Sequence, residues 1–269
     1  MNTENDELAG LLEPVAELAQ LAGEKILVVY NSDEFSVEEK SDKSPLTAAD
    51  LASHHAIVDG LTALTPDIPI LSEESASLPY TERSAWQRYW LVDPLDGTRE
   101  FIKRNGEFTV NIALIEAGVA VLSVVHVPVT GVSYLACKGQ GAFKQEAGGE
   151  RRVIKVRKPG AGPLMVVGSR SHRGDSLIAF LDKLGEHEMV GMGSSLKLCL
   201  VAEGVADIYP RLGPTSEWDT AAAQCVVEQA GGSVTDTAMQ PLRYNTKDSL
   251  LNPFFLVFGD DSRDWSQYL

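Results

Sequence analysis

Three short acidic clusters carry the residues best suited to chemistry: Glu73-Glu74, Asp93-Pro94-Leu95-Asp96 and Glu217-Trp218-Asp219. Each is expected at a strand end or helix start. The tightest, Asp93-Pro-Leu-Asp96-Gly97-Thr98, follows the apolar run Tyr89–Val92, and Pro94 and Gly97 favour a tight turn there. Such a turn brings two carboxylates three residues apart to one side. Convergent carboxylates repel unless they are protonated or held by a cation, and hard oxygen donors with no His or Cys among them suit Mg²⁺. Any one cluster also reads as a solvated surface turn. The apolar strands that lead into them favour the metal.

Carboxylates that hold a metal suit phosphoryl transfer to water, in which the ion stabilises both attacking and leaving oxygens. The sequence has no Walker A run, no Gly-x-Ser-x-Gly elbow, no Cys-x5-Arg loop and no Asp-x-Asp nucleophile. Gly191-Met-Gly193 and Gly139-Gln-Gly141 are incomplete dinucleotide fingerprints. By elimination the nucleophile is a metal-activated water. Thr47-x-x-Asp50 before an apolar run reads equally well as a helix capping box and as part of a site.

The elements that must position these groups follow from periodicity. Apolar residues from Val15 to Val29 give a helix over 14–30, with Pro14 at its first position. A second helix begins near Thr47, with Leu51, His54, Val58, Leu61 and Leu64 on one face. Strands are expected at 68–71, 89–92, 108–115, 119–126, 132–136 and 153–156, with a hairpin turn at Glu116-Ala117-Gly118. Lys158–Pro163 is linker-like and divides residues 1–157 from 164–269. Beyond it strands at 164–167, 189–192 and 207–209 alternate with helices near 175–184, from Ser194 and over 218–230. Further strands lie near Val234 and at 254–258. The fold class is α/β, an α+β half followed by an α/β half.

The chain of 269 residues has 23 Lys and Arg against 38 Asp and Glu, a net charge of −15. That balance argues against a nucleic-acid polymer or an anionic membrane as partner. Cys137, Cys199 and Cys225 are odd in number and far apart, which points to reduced, buried thiols in a cytoplasmic protein. The polar, acidic N-terminus is unlike a signal peptide. The longest apolar stretch, 110–129, is interrupted by Asn111, Glu116, Gly118, Ser123 and His126, so no integral membrane segment is expected.

Leu71-Ser-Glu-Glu-Ser75, Trp90-Leu-Val-Asp-Pro-Leu-Asp-Gly-Thr98 and Trp218-Asp219 with Glu228-Gln-Ala-Gly-Gly232 resemble, in order and spacing, the three signatures of the lithium-sensitive inositol monophosphatase family. Ser72 departs from the glycine frequent there. Lys40–Asp50, Ser194-Ser-Leu-Lys197 and Asp207-Ile-Tyr-Pro-Arg211 are similar to its bacterial 3'(2'),5'-bisphosphate nucleotidase branch. The resemblance implies a layered α/β/α/β/α sandwich of the inositol monophosphatase/fructose-bisphosphatase type. It implies two or three Mg²⁺ ions held by Glu73, Asp93, the Leu95 carbonyl, Asp96 and Asp219. It makes Asp50 and Thr98 the pair that orients and deprotonates the attacking water, with the Gly97 and Thr98 amides on the scissile phosphate.

The substrate so implied is a small bisphosphate nucleotide, adenosine 3',5'-bisphosphate or its 5'-sulfated analogue, cleared as a by-product of sulfate assimilation. A second phosphate needs protein cations. Lys197, at the start of a helix capped by Ser194, and Arg211, with a bidentate fork, meet that need; both positions are non-basic in the inositol-hydrolysing branch. They read otherwise as ordinary solvated cations. His172 resembles a contact near the base or sugar, with Lys40 and Arg170 in reach of the nucleotide. Glu73, Leu95, Asp96 and Asp219 would touch substrate as well as metal. The alternatives are a broad inositol or sugar phosphatase and, in another class, a non-catalytic nucleotide-binding protein. The resemblance also allows loose association with the inner face of the cytoplasmic membrane. It leaves the oligomeric state open.

Overall fold

In the computed structural model, which describes residues 3–32, 37–39, 45–160, 162–168 and 174–269, a long helix α1 (Thr3–Tyr30) comes first. It starts well before Pro14, which lies inside it. Leu8 and Leu12 extend the buried stripe of Val15, Ala19, Ala22 and Ile26. Burying two leucines contributes about 3–6 kcal/mol, enough to offset the roughly 3 kcal/mol cost of an interior proline.

A ribbon of β1 (Val37–Glu39) and β2 (Pro45–Thr47) leads to α2 (Ala48–Leu64). Its buried face is Ala49, Asp50, Ser53, Ile57 and Leu61, not the face expected from Leu51, which is 40% exposed. The helix is turned because Asp50 and Ser53 are anchored inward, and a face holding polar groups escapes hydrophobic periodicity. Ser53 donates to the Pro94 carbonyl at 2.7 Å.

The large sheet follows: β3 (Ile70–Ser72), a 3₁₀ turn at Glu73–Ser75, α3 (Tyr80–Arg83), β4 (Arg88–Asp96), α4 (Thr98–Ile102), then β5 (Thr109–Glu116), β6 (Val119–Val127), β7 (Val132–Cys137), β8 (Gly141–Gln145) and β9 (Arg151–Ile154). Its seven strands lie in chain order, β3 parallel to β4 and the rest antiparallel. Strand β8 was not expected, its half-buried pattern being weakly alternating. The β5–β6 turn has positive φ at both Ala117 and Gly118, as a twist-compatible hairpin requires.

The second half comprises β10 (Leu164–Gly168), α5 (Asp175–Leu184), β11 (His187–Gly191), α6 (Leu196–Ala202), β12 (Ile208–Arg211), α7 (Glu217–Gln229), β13 (Ser233–Asp236) and β14 (Phe255–Phe258), in sheet order β11-β10-β12-β14-β13. Helices α1 and α2 cover one face of the large sheet, through Trp90, Val92, Ile112 and Leu114. Leu91, Ala113 and Val125 on its other face share a core with α6, α7 and Tyr209, Phe255 and Val257 of the second sheet. Val166, Ile208 and Leu256 turn the far face toward α5 and Trp265. The layers therefore run α/β/α/β/α, as the family resemblance implied.

Between the sheets, Arg157 forms a bidentate pair with the buried Asp207, both contacts at 2.8 Å, which ties the connecting segment to the second half. All three cysteines are buried and unpaired. Among the described residues no helix is long and apolar enough to cross a membrane.

Candidate active site

Asp93 and Asp96 are an odd number of residues apart, so a regular strand would point them to opposite faces. The register prevents this. Asp93 pairs with Asn111 and Asp96 with Thr109, so three steps along β4 oppose two along β5. The bulge at Pro94-Leu95 returns both carboxylates to one side. The Leu95 amide donates to Asp93 Oδ1 at 3.0 Å, which fixes the turn. Asp219 arrives from the other half at the first turn of α7, where the Ser216 amide donates to its Oδ2 at 2.8 Å. Oxygens of Asp93, Asp96 and Asp219 lie within 4.8 Å of one another.

Glu73 adjoins Asp93 from the 3₁₀ turn, and two carboxyl groups so close need a proton or a cation between them. The electrostatics agree. Burial, then Glu73, Asp96 and Asp219, hold Asp93 well above the usual carboxylate range. Burial and the neighbouring Asp96 and Glu73 push Asp219 up to about 8. Asp96 is raised by burial and partly relieved by Lys197 and the Ser195 amide. Four carboxyls gathered this closely suit a hard divalent cation and repel one another without one.

Asp50 is both cap and neighbour of the site. Its Oδ2 accepts from the Thr47 amide at 2.8 Å and from the Thr47 hydroxyl at 2.6 Å, completing a capping box. Its Oδ1 accepts from the Thr98 hydroxyl at 3.4 Å, which also lies 3.5 Å from the Leu95 carbonyl. Gly97, with φ 95°, turns the chain into α4; a side chain there would be strained and would meet the Glu107 carbonyl at 3.2 Å. Ser72 is buried and its hydroxyl lies 2.9 Å from His54 Nδ1 in a hydrogen bond.

A cleft of about 380 Å³ opens from the carboxylates, lined by Asp96, Gly97, Lys197, Tyr209, Arg211 and Asp219 among others. Ser194 is not the cap of α6: Ser195 holds that position, and Ser194, with φ 43°, precedes it while its hydroxyl accepts from the Leu196 amide at 3.4 Å. Lys197 Nζ donates to the Ser194 carbonyl at 2.6 Å, and burial lowers its pKa despite the nearby Asp96. Arg211 ends β12 and its fork is partly engaged, Nε by Thr215 Oγ1 at 2.6 Å and one terminal nitrogen by the Pro214 carbonyl at 2.7 Å. His172, Lys40 and Arg170 lie outside the described residues.

Sequence reasoning missed the polar bridge between the halves. Ser195 donates its amide to Asp96 Oδ2 at 2.5 Å and its hydroxyl to Asn111 Oδ1 at 2.9 Å, with Thr109 Oγ1 2.8 Å away. Glu107 Oε2 accepts from the Gly193 amide at 2.8 Å. The available signal was Asn111 itself, a polar residue inside an apolar strand.

The profile of the inositol monophosphatase family matches residues 7–257. Over 248 residues the chain is 54% identical to the 3'(2'),5'-bisphosphate nucleotidase CysQ of Salmonella typhimurium, covering 92% of this chain and 99% of that one. It is 53% identical over the same length, with the same coverage, to that of Escherichia coli. The crystal structure of CysQ from Bacteroides thetaiotaomicron superposes with a TM-score of 0.82 at 42% identity, covering 92% and 97% of the two chains. An inositol monophosphatase from Anabaena gives 0.75 at 27%, covering 97% and 96%. Sequence, layering and the carboxylate cluster converge: the chain belongs to the inositol monophosphatase family.

Proposed function

We propose that the chain is a Mg²⁺-dependent 3'(2'),5'-bisphosphate nucleotidase that hydrolyses adenosine 3',5'-bisphosphate, or its 5'-sulfated analogue, to the 5'-nucleotide and phosphate. The observation that carries the reading is the mutually close trio Asp93, Asp96 and Asp219, with Glu73 adjoining, beside a cleft that also holds Lys197 and Arg211. The identity to CysQ nucleotidases over nearly their whole length supports the substrate class.

Glu73, Asp93, the Leu95 carbonyl, Asp96 and Asp219 would hold two or three ions. Magnesium, when bound, supplies positive charge to the transferred phosphoryl group and acidifies the attacking water. Residues 1–157 contribute most of these ligands; residues 164–269 contribute Asp219 and the cations for the second phosphate.

Asp50 and Thr98 orient that water, and Asp50 Oδ1, the oxygen turned toward the Thr98 hydroxyl, takes the proton. The water oxygen forms its bond to phosphorus as the bond from phosphorus to the 3'-oxygen breaks, and that oxygen leaves as the nucleotide hydroxyl once protonated. The Gly97 and Thr98 amides, at a turn opening into α4, face the scissile phosphate. Lys197 and the unengaged donors of Arg211 meet the 5'-phosphate.

Asp93→Asn keeps the side-chain shape and removes one charge from the cluster. It should abolish Mg²⁺-dependent phosphate release from adenosine 3',5'-bisphosphate while the thermal transition stays cooperative. Undiminished turnover would place the site elsewhere.

A further inference from the structure

Lys197 and Arg211 are not alone among the cations that line the cleft. Arg99 in α4, and Lys103 and Asn105 just beyond its end, line it too, none of them singled out by sequence. Arg99 and Lys103 stand four residues apart, so on a helical path they lie on one side, about 6 Å along the axis. Both are exposed.

The two pairs of cations differ in how far the chain has already engaged them. Lys197 is bonded to the Ser194 carbonyl and faces Asp96. Two of the Arg211 nitrogens are taken by Thr215 and Pro214. Arg99 and Lys103 make no side-chain hydrogen bond or ion pair with another described residue, although carboxylates outnumber cations 38 to 23 in this chain. The nearby Glu107 is committed to the Gly193 amide. An engaged pair and an exposed, unengaged pair lining one cleft suit a substrate whose non-scissile anionic arm is longer than one phosphate.

We propose that Arg99 and Lys103 form an outer clamp for the terminal anion of a 5'-phosphosulfate on a 3'-phosphorylated nucleotide, and thereby raise the preference of the site for that substrate over the plain bisphosphate. The inference rests on the nucleotidase reading. The Arg99 fork can meet two oxygens of the terminal sulfate group, and Lys103 adds a point charge. Because both are exposed, their pull is screened by salt.

The test compares kcat/KM for 3'-phosphoadenosine 5'-phosphosulfate with that for adenosine 3',5'-bisphosphate, in the wild type, in R99A/K103A and in the charge-keeping R99K/K103R. The ratio should fall about tenfold in R99A/K103A, through KM, and the fall should shrink as NaCl is raised. R99K/K103R should hold the ratio within about twofold of wild type. An unchanged ratio in R99A/K103A, or a fall carried by kcat, overturns the clamp while leaving the nucleotidase reading intact. Failure of the wild type to release phosphate from either nucleotide sinks the nucleotidase reading, and the clamp with it.

Discussion

Asp50 shows how one carboxylate serves two ends. One oxygen closes the cap of α2 on Thr47 and the other faces Thr98, so in the proposed mechanism the stiffness of the helix start would fix the group offered to water. The two roles separate by mutation. Asp50→Ala should cost about 1 kcal/mol of stability from the lost cap and about 10²–10⁴-fold in kcat from the lost base. Thermal unfolding and steady-state turnover measure the two effects. A loss confined to stability would reduce Asp50 to a cap. At this scale the acidic clusters were legible by residue type and spacing, while the choice of Glu73, Asp93, Asp96 and Asp219 within them came from the family resemblance. Asn111 and Ser195 were not legible, since they meet Asp96 only after β4, β5 and α6 have come together. The Ser194 cap was misread by one residue, for two adjacent serines offer the same cap chemistry and only backbone geometry chooses between them.

At the scale of elements, the bulge of β4 and the αL turn at Gly97 decide whether two acidic residues become a site. Gly97→Ala adds a side chain where φ is 95° and the Glu107 carbonyl is close. It should destabilise the fold by about 1–2 kcal/mol and weaken turnover by shifting Asp96 and Thr98. A thermal transition and kcat both equal to wild type would show that the turn tolerates the change. Strand positions were largely readable from apolar runs; β8 and the orientation of α2 were not. In α2 the buried face includes Asp50 and Ser53, and inward polar groups defeat an amphipathic reading. In α1 the burial of Leu8 and Leu12 outweighed Pro14, a balance visible only once the large sheet is there to cover.

For the whole molecule, the layers bring Asp219 across from one half to Asp93 and Asp96 in the other, at the cost of burying like charges together. Asp219 is raised from its ordinary value to about 8, so the folded metal-free protein binds a proton there that the unfolded chain releases near pH 4. That group's stabilising effect is complete below pH 4 and fades as the pH rises toward 8. In chelator, the thermal transition should therefore fall between pH 5.5 and pH 8.5, and added Mg²⁺ should restore most of the loss at the higher pH. A transition that rises over this range, or that ignores Mg²⁺, would contradict the charge cluster. Sequence could name the carboxylates but not their joint burial, which depends on contacts made across the two sheets.

Phosphate release from adenosine 3',5'-bisphosphate and from inositol 1-phosphate, assayed side by side with saturating Mg²⁺, tests the central claim most directly. The cleft's cations lead to a kcat/KM for the nucleotide at least about tenfold above that for the inositol ester, since one lost charge-assisted bond is worth about 1.5–3 kcal/mol. Equal or faster turnover of inositol 1-phosphate would contradict it.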